Sequence, residues 1–154
     1  VNLDSWLQLA HAASAIVWVG GNGLLALVGI RVRRGGDPAA IGRFADTLMF
    51  VGVRVIAPAA LLVLISGFWL VLESSEWTVT QPWILLALGA FALAVLLSLV
   101  FLNRGATRLQ RISTGSAADR RAADQALGRL LLGYGLVLAT LVLALLDMAL
   151  KPGS

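Results

Sequence analysis

The sequence predicts an all-α, four-helix bundle that spans a membrane. Three observations carry this. The 154 residues are 59 % hydrophobic and only 13 % charged, whereas soluble domains carry about 45–50 % apolar and about 25 % charged residues. Four apolar stretches stand out, each long enough for the roughly 20 residues that cross a bilayer as a helix. None alternates with period two, as the strands of a membrane β-barrel must. Residues 1–154 therefore read as a single integral membrane domain made of two helical hairpins.

The first span covers about residues 3–30 and stops at Arg31, Arg33 and Arg34. Its first turn holds an acid, Asp4, where a signal peptide would open on a basic stretch. The second covers about 44–72 and stops at Glu73. The third covers about 83–102, after Pro82 at a favoured first helical position. The fourth covers about 127–150 and ends at Lys151-Pro152-Gly153. Between the third and fourth, Ser116 and Asp119 resemble a capping box. The spacing predicts that helix three runs on to about Ile112, turns at 113–115, and that helix four starts near Ala117. This makes a basic helical hairpin extending about 15–20 Å past the membrane at 1.5 Å per residue.

Orientation follows from the links. The link between helices one and two carries Arg31, Arg33, Arg34 and Arg43. That between three and four carries Arg104, Arg108, Arg111, Arg120 and Arg121, with Arg129 just beyond. The link between two and three has no Lys or Arg, only Glu73 and Glu76. The positive-inside rule then places both Arg-rich links in the cytoplasm and both termini outside. Trp6, Trp77 and Trp83 fall at the outer boundary, where an aromatic belt is expected. The Arg clusters face anionic lipid headgroups. That placement explains the formal charge of +4 without nucleic acid.

Composition narrows the chemistry. With no cysteine there is no disulfide, thiolate metal site or redox dithiol, and with one histidine there is no bis-histidine site within the chain. Polar residues inside spans are the default functional candidates. On helix one Asp4, Gln8, His11, Ala15, Trp18 and Asn22 share a face at about 100° per residue, and a polar stripe turns toward protein. At 1.5 Å per residue, His11 and Asp147 both lie about 9–10 Å to the outer side of the midplane. Asn22, Arg54 and Tyr134 lie about 6–9 Å to the inner side. Pro58 cannot donate to the Arg54 carbonyl, and no acid shares the depth of Arg54. Arg54 is expected either to capture an anionic group, such as a haem propionate or lipid phosphate, or to snorkel to headgroups. His11 is expected either to ligate a haem, porphyrin or metal, with Asp147 orienting or joining it, or to fix helix packing by a hydrogen bond. Met49 and Met148 fall at opposite ends and read as packing residues. Gly20, Gly21 and Gly23 sit mid-membrane without the lysine or strand of a phosphate loop, so they read as close helix contacts, as do Gly52, Gly67, Gly89, Gly133 and Gly135.

The segment His11-Ala12-Ala13-Ser14-Ala15-Ile16-Val17-Trp18-Val19-Gly20-Gly21 is similar to the H-x-x-x-A-x-x-W-x-G-G pattern of the copper-resistance D-like group of small bacterial membrane proteins. The ending Asp147-Met148-Ala149-Leu150-Lys151-Pro152 resembles the M-x-x-K-P close of one uncharacterised branch of it. The resemblance implies four helices and, through a distant oxygen-independent protoporphyrinogen oxidase type, porphyrin chemistry around His11. The chain departs from that enzyme in lacking a His-x-Lys segment in helix three. It departs from copper importers in lacking cysteine, methionine pairs and further histidines. The expected function is a non-catalytic bacterial inner-membrane component with a His11-centred haem, porphyrin or metal site, in which Trp18, Asn22, Arg54 and Tyr134 line the cofactor. The alternatives are a structural accessory subunit of a larger respiratory or photosynthetic complex, with no chemistry of its own, and a porphyrin-oxidising enzyme; the expected protein partners are a larger membrane complex or further copies of the chain in a homo-oligomer.

Overall fold

The computed structural model describes residues 3–74, 77–112 and 117–150. These form four long helices and, among the described residues, no strand. Helix α1 is Leu3–Gly35. Helix α2 is Pro38–Glu73, α-helical over Pro38–Val51, π-helical over Gly52–Ile56 and α-helical again over Ala57–Glu73. Helix α3 comprises Pro82–Leu97, a π-helical stretch Ser98–Asn103, and Arg104–Ile112. Helix α4 is Ala117–Leu150. All four are long and apolar enough to cross a membrane. The expected continuation of α3 to Ile112 and the start of α4 at Ala117 are both present. The expected turn at 113–115, the Ser116–Asp119 cap, Glu76 and Lys151–Gly153 lie outside the described residues or side chains.

Two boundaries differ from the hydropathy reading. Helix α1 continues through Arg31, Arg33 and Arg34 to Gly35, since long basic side chains do not break a helix. Helix α2 starts at Pro38, not near Phe44, because Asp37 caps it. Its carboxylate accepts hydrogen bonds from the backbone N–H groups of Ala39 and Ala40 at 2.9 and 3.2 Å, and Pro38 occupies the first turn, where its missing N–H costs nothing. Between the two helices Gly36 takes φ +65°, a left-handed conformation natural to glycine.

Helix α1 packs along the Ala57–Glu73 half of α2 and against α4, and α3 runs beside α4. At the Arg-rich end the Pro38–Val51 half of α2 closes onto Arg104–Ile112 of α3. There Leu109, Leu127 and Leu130 are fully buried with Phe44 and Leu48. The base of the predicted basic hairpin is thus packed core. Arg33 joins α1 to α4 through an ion pair with Asp124 at 2.8 Å, its guanidinium seated against Gly128. A smaller cluster, Trp18, Val63, Ala94 and Val137 among them, fills the middle. The outer face is apolar: Leu27 and Leu132 are 67 % and 70 % exposed, the polarity expected where lipid is the solvent.

Of the α1 stripe, Trp18 and Asn22 are buried and His11 partly so, as the helical period requires. Ser14, off the predicted line, is buried too, while Gln8 is exposed. Trp83 is buried against Trp77, ring centres 5.6 Å apart and edge to face, so only Trp6 of the three expected belt residues is openly exposed.

Candidate functional site

The site is built where α1 meets α2 near the Trp-rich end. His11 Nδ1 lies 3.0 Å from the Val63 carbonyl and 3.2 Å from Ser66 Oγ. A carbonyl only accepts, so Nδ1 carries the proton and donates, and Nε2 keeps its lone pair. The Ser66 hydroxyl donates to the Leu62 carbonyl, which leaves its oxygen free to share the His11 proton. Gly67 lets the ring lie flat against α2: a Cβ there would sit 2.9 Å from His11 Cε1 and 3.2 Å from Nδ1. The local sequence Ser66-Gly67 thus makes a seat for one imidazole.

His11 borders two cavities. One, of about 220 Å³, lies between α2 and α3 and is walled by Gly67, Phe68, Trp77, Trp83 and Phe91. The other, of about 520 Å³, lies between α1 and α4 beneath Ala15, Leu141 and Leu145. Both walls are almost wholly apolar, and both open toward lipid past exposed residues, Phe68 for the first and Ile16 for the second. Met148 also lines both. Its thioether is the one soft donor among the described residues lining the two cavities that His11 borders. Its signal in the sequence was the depth match that singled out Asp147, which holds equally for the next residue.

The other predicted residues divide. Asp147 does not hold His11, whose proton goes to α2. Its Oδ2 is sealed in protein with no hydrogen-bond partner among the described residues. No group of three or more His, Cys, Asp or Glu side chains able to hold a metal occurs among the described residues. Trp18, Asn22 and Tyr134 do come together, lining a third cavity of about 420 Å³ toward the Arg-rich end. Arg54 is not part of it: the residue is exposed on the outside of α2, with its guanidinium carbon 5.0 Å from the centre of the Phe50 ring. Met49 lines that third cavity, well apart in the chain's fold from Met148.

A family model described as a predicted integral membrane protein (DUF2269) matches residues 5–152. That range takes in all four helices apart from the first two residues of α1. The match does not confirm the copper-resistance D-like resemblance carried by the two ends of the chain. No curated protein matches, and no solved structure does.

Proposed function

The chain belongs to the DUF2269 family of predicted integral membrane proteins, and from that premise we propose that it is a non-catalytic membrane component holding a haem, a related porphyrin or a soft metal ion at His11. The hydrogen bond from His11 Nδ1 to the Val63 carbonyl carries the reading. Histidines that ligate metals commonly donate the other ring N–H to a carbonyl or carboxylate, which fixes the tautomer and aims the lone pair. The apolar walls on either side suit a flat hydrophobic ring. A histidine beside a thioether is a donor set used for haem iron and for cuprous copper. The experiment is purification in mild detergent after growth with added haem, followed by an absorption spectrum and metal analysis. A Soret band, or stoichiometric copper, is the expected result. A colourless, metal-free protein that takes up neither on titration overturns the reading.

One observation favours a second reading. Arg54 lies within a candidate span, yet it is exposed on the outside of the bundle. Charged side chains in membranes almost always face protein or a wet cavity, or snorkel to headgroups. In this reading the α2 face docks on a larger membrane subunit that supplies an anionic partner. Subunits that co-purify with the wild type and are lost in Arg54→Leu support it. Snorkelling predicts no such loss.

The proposed setting is a bacterial inner membrane with both termini outside, supported by Arg-rich links on one side and a Lys/Arg-free link on the other. A reporter active only in the periplasm is expected to work when fused after Ser154 and to be silent when inserted between Arg104 and Arg121. The reverse pattern overturns the orientation.

A further inference from the structure

The third cavity is not lined by His11, though it shares Trp18, Leu64 and Phe91 with the walls of the two that are, and it has a chemistry of its own. It lies between α2 and α3 at their π-helical stretches, Gly52–Ile56 and Ser98–Asn103, both of which contribute to its wall. Such stretches add a residue to the turn and recur at functional sites. Val53, Leu61 and Leu99 line the cavity and are 64, 56 and 55 % exposed on the bundle's outer face, so it opens sideways into the bilayer.

Three side chains bring oxygen to this apolar wall: Asn22, Ser98 and Tyr134. The Ser98 hydroxyl commits its proton to the Ala94 carbonyl at 2.7 Å, so it offers the cavity an acceptor and no donor. Asn22 donates its amide N–H to the Trp18 carbonyl at 2.8 Å. That bond fixes which way the amide points and leaves Oδ1 as an acceptor without a partner among the described residues. The Tyr134 hydroxyl likewise has no partner among them. Both residues are only 3 % exposed, yet neither oxygen is sealed inside protein, so the space they face is the cavity. At this depth lipid offers no hydrogen bond to either.

A ligand hydroxyl completes both at once, donating to Asn22 Oδ1 and accepting from Tyr134. A ketone satisfies Tyr134 alone. We propose that this cavity binds a lipid-soluble hydroxyl compound that enters laterally between α2 and α3, its apolar body in the cleft and its hydroxyl bridging Asn22 and Tyr134. The proposal does not depend on what His11 holds.

Two probes separate the sources of that hydroxyl: decylubiquinol, kept reduced under argon, and farnesol. Each is titrated into the protein in nanodiscs, with decylubiquinone as the carbonyl-only control. Saturable binding of at least one hydroxyl probe is expected, and the tighter one identifies the source as quinol or isoprenoid alcohol. Asn22→Leu should weaken the hydroxyl probe about three- to ten-fold, the loss of one net hydrogen bond, and leave decylubiquinone unchanged. Tyr134→Phe should weaken both. Should either variant fail to fold, Val53→Trp, made at an exposed position at the mouth, is expected to block entry while the helical circular dichroism is unchanged. Absence of saturable binding by both hydroxyl probes overturns the proposal. So does binding indifferent to these substitutions.

Discussion

Gly133→Leu is expected to destabilise the protein by about 2–3 kcal/mol, the upper range for forcing a side chain into a packed interface. At about 2–4 °C per kcal/mol for a chain of this size, the thermal midpoint in detergent falls by roughly 5–10 °C. The cause is specific. A Cβ on Gly133 would lie 2.6 Å from Phe101 Cβ and 3.3 Å from its Cγ. The ring of Phe101 can swing aside, but its Cβ is tied to the backbone, so α3 and α4 must part. Within a bilayer, helix association draws little from the hydrophobic effect, because lipid tails are as apolar as leucine. Close backbone approach and van der Waals contact supply it instead. Gly135, two residues on, has nothing within 4 Å of its would-be Cβ, so Gly135→Leu should shift the midpoint by no more than about 1 °C. The five tryptophans make intrinsic fluorescence a direct readout. Equal shifts for the two variants would show that the contact with Phe101 is not what matters.

The same contrast shows what the sequence could convey. Small residues in the spans pointed to close helix approach, and at Gly21, Gly67 and Gly133 a neighbouring side chain does occupy the Cβ position. At Gly20, Gly52, Gly89 and Gly135 none lies within 4 Å. Composition tells which residues permit close approach, whereas the direction a glycine faces depends on the tilt and rotation of the helix, which packing sets. The four spans were legible because the bilayer forces every backbone group into a helix of fixed length. The early start of α2 was also legible, in Asp37-Pro38, but a hydropathy window reaching back from Phe44 is broken by Arg43 and Gly42 and does not register the cap. The π-helical stretches were not legible. One added residue shifts a periodic pattern by about 100°, and with Arg54 the single polar side chain in Gly52–Ile56, and Ser98 and Asn103 only at the ends of the other stretch, there is too little pattern to shift. Pro58 gave a partial hint, since a missing donor disturbs the turn before it.

The candidate site was half legible for a related reason. Period and depth singled out His11, Trp18 and Asn22 on one face of α1, and each is buried or partly buried. Depth also put Asp147 at the level of His11, but a shared level says nothing about the angle around each helix axis. The partner His11 found is a backbone carbonyl, at Val63, and a backbone acceptor has no residue type to announce it. Arg54 shows the limit of arguing from cost. An Arg near the bilayer centre is expensive by about 2.5–3.5 kcal/mol on insertion scales. That cost can be met by reaching headgroups or a partner as well as by an interior anion, and the side chain faces outward.

The largest effect expected on ligand binding comes from His11→Ala, which should remove the bound chromophore or metal almost entirely while leaving the fold in place. The substitution gives up one hydrogen bond to α2, a net loss of about 1 kcal/mol, so the midpoint of the ligand-free protein should fall by only about 2–4 °C. Loss of the ligand with His11 absent does not by itself separate ligation from packing, and Gly67→Val does. It leaves the imidazole in the sequence but puts a Cβ 2.9 Å from Cε1 and 3.2 Å from Nδ1, which drives the ring off the Val63 carbonyl. The proton is then free to move to Nε2, and the lone pair loses its aim. Breaking such a supporting hydrogen bond typically costs 10- to 100-fold in metal affinity, so occupancy should fall steeply while titration with excess haem or copper restores part of the spectrum. Ser66→Ala, which removes only the longer 3.2 Å contact, should weaken binding the least. The order expected is therefore His11→Ala, then Gly67→Val, then Ser66→Ala. A packing histidine predicts a different pattern, in which the midpoint follows the substitutions and no absorbance or metal content changes with them.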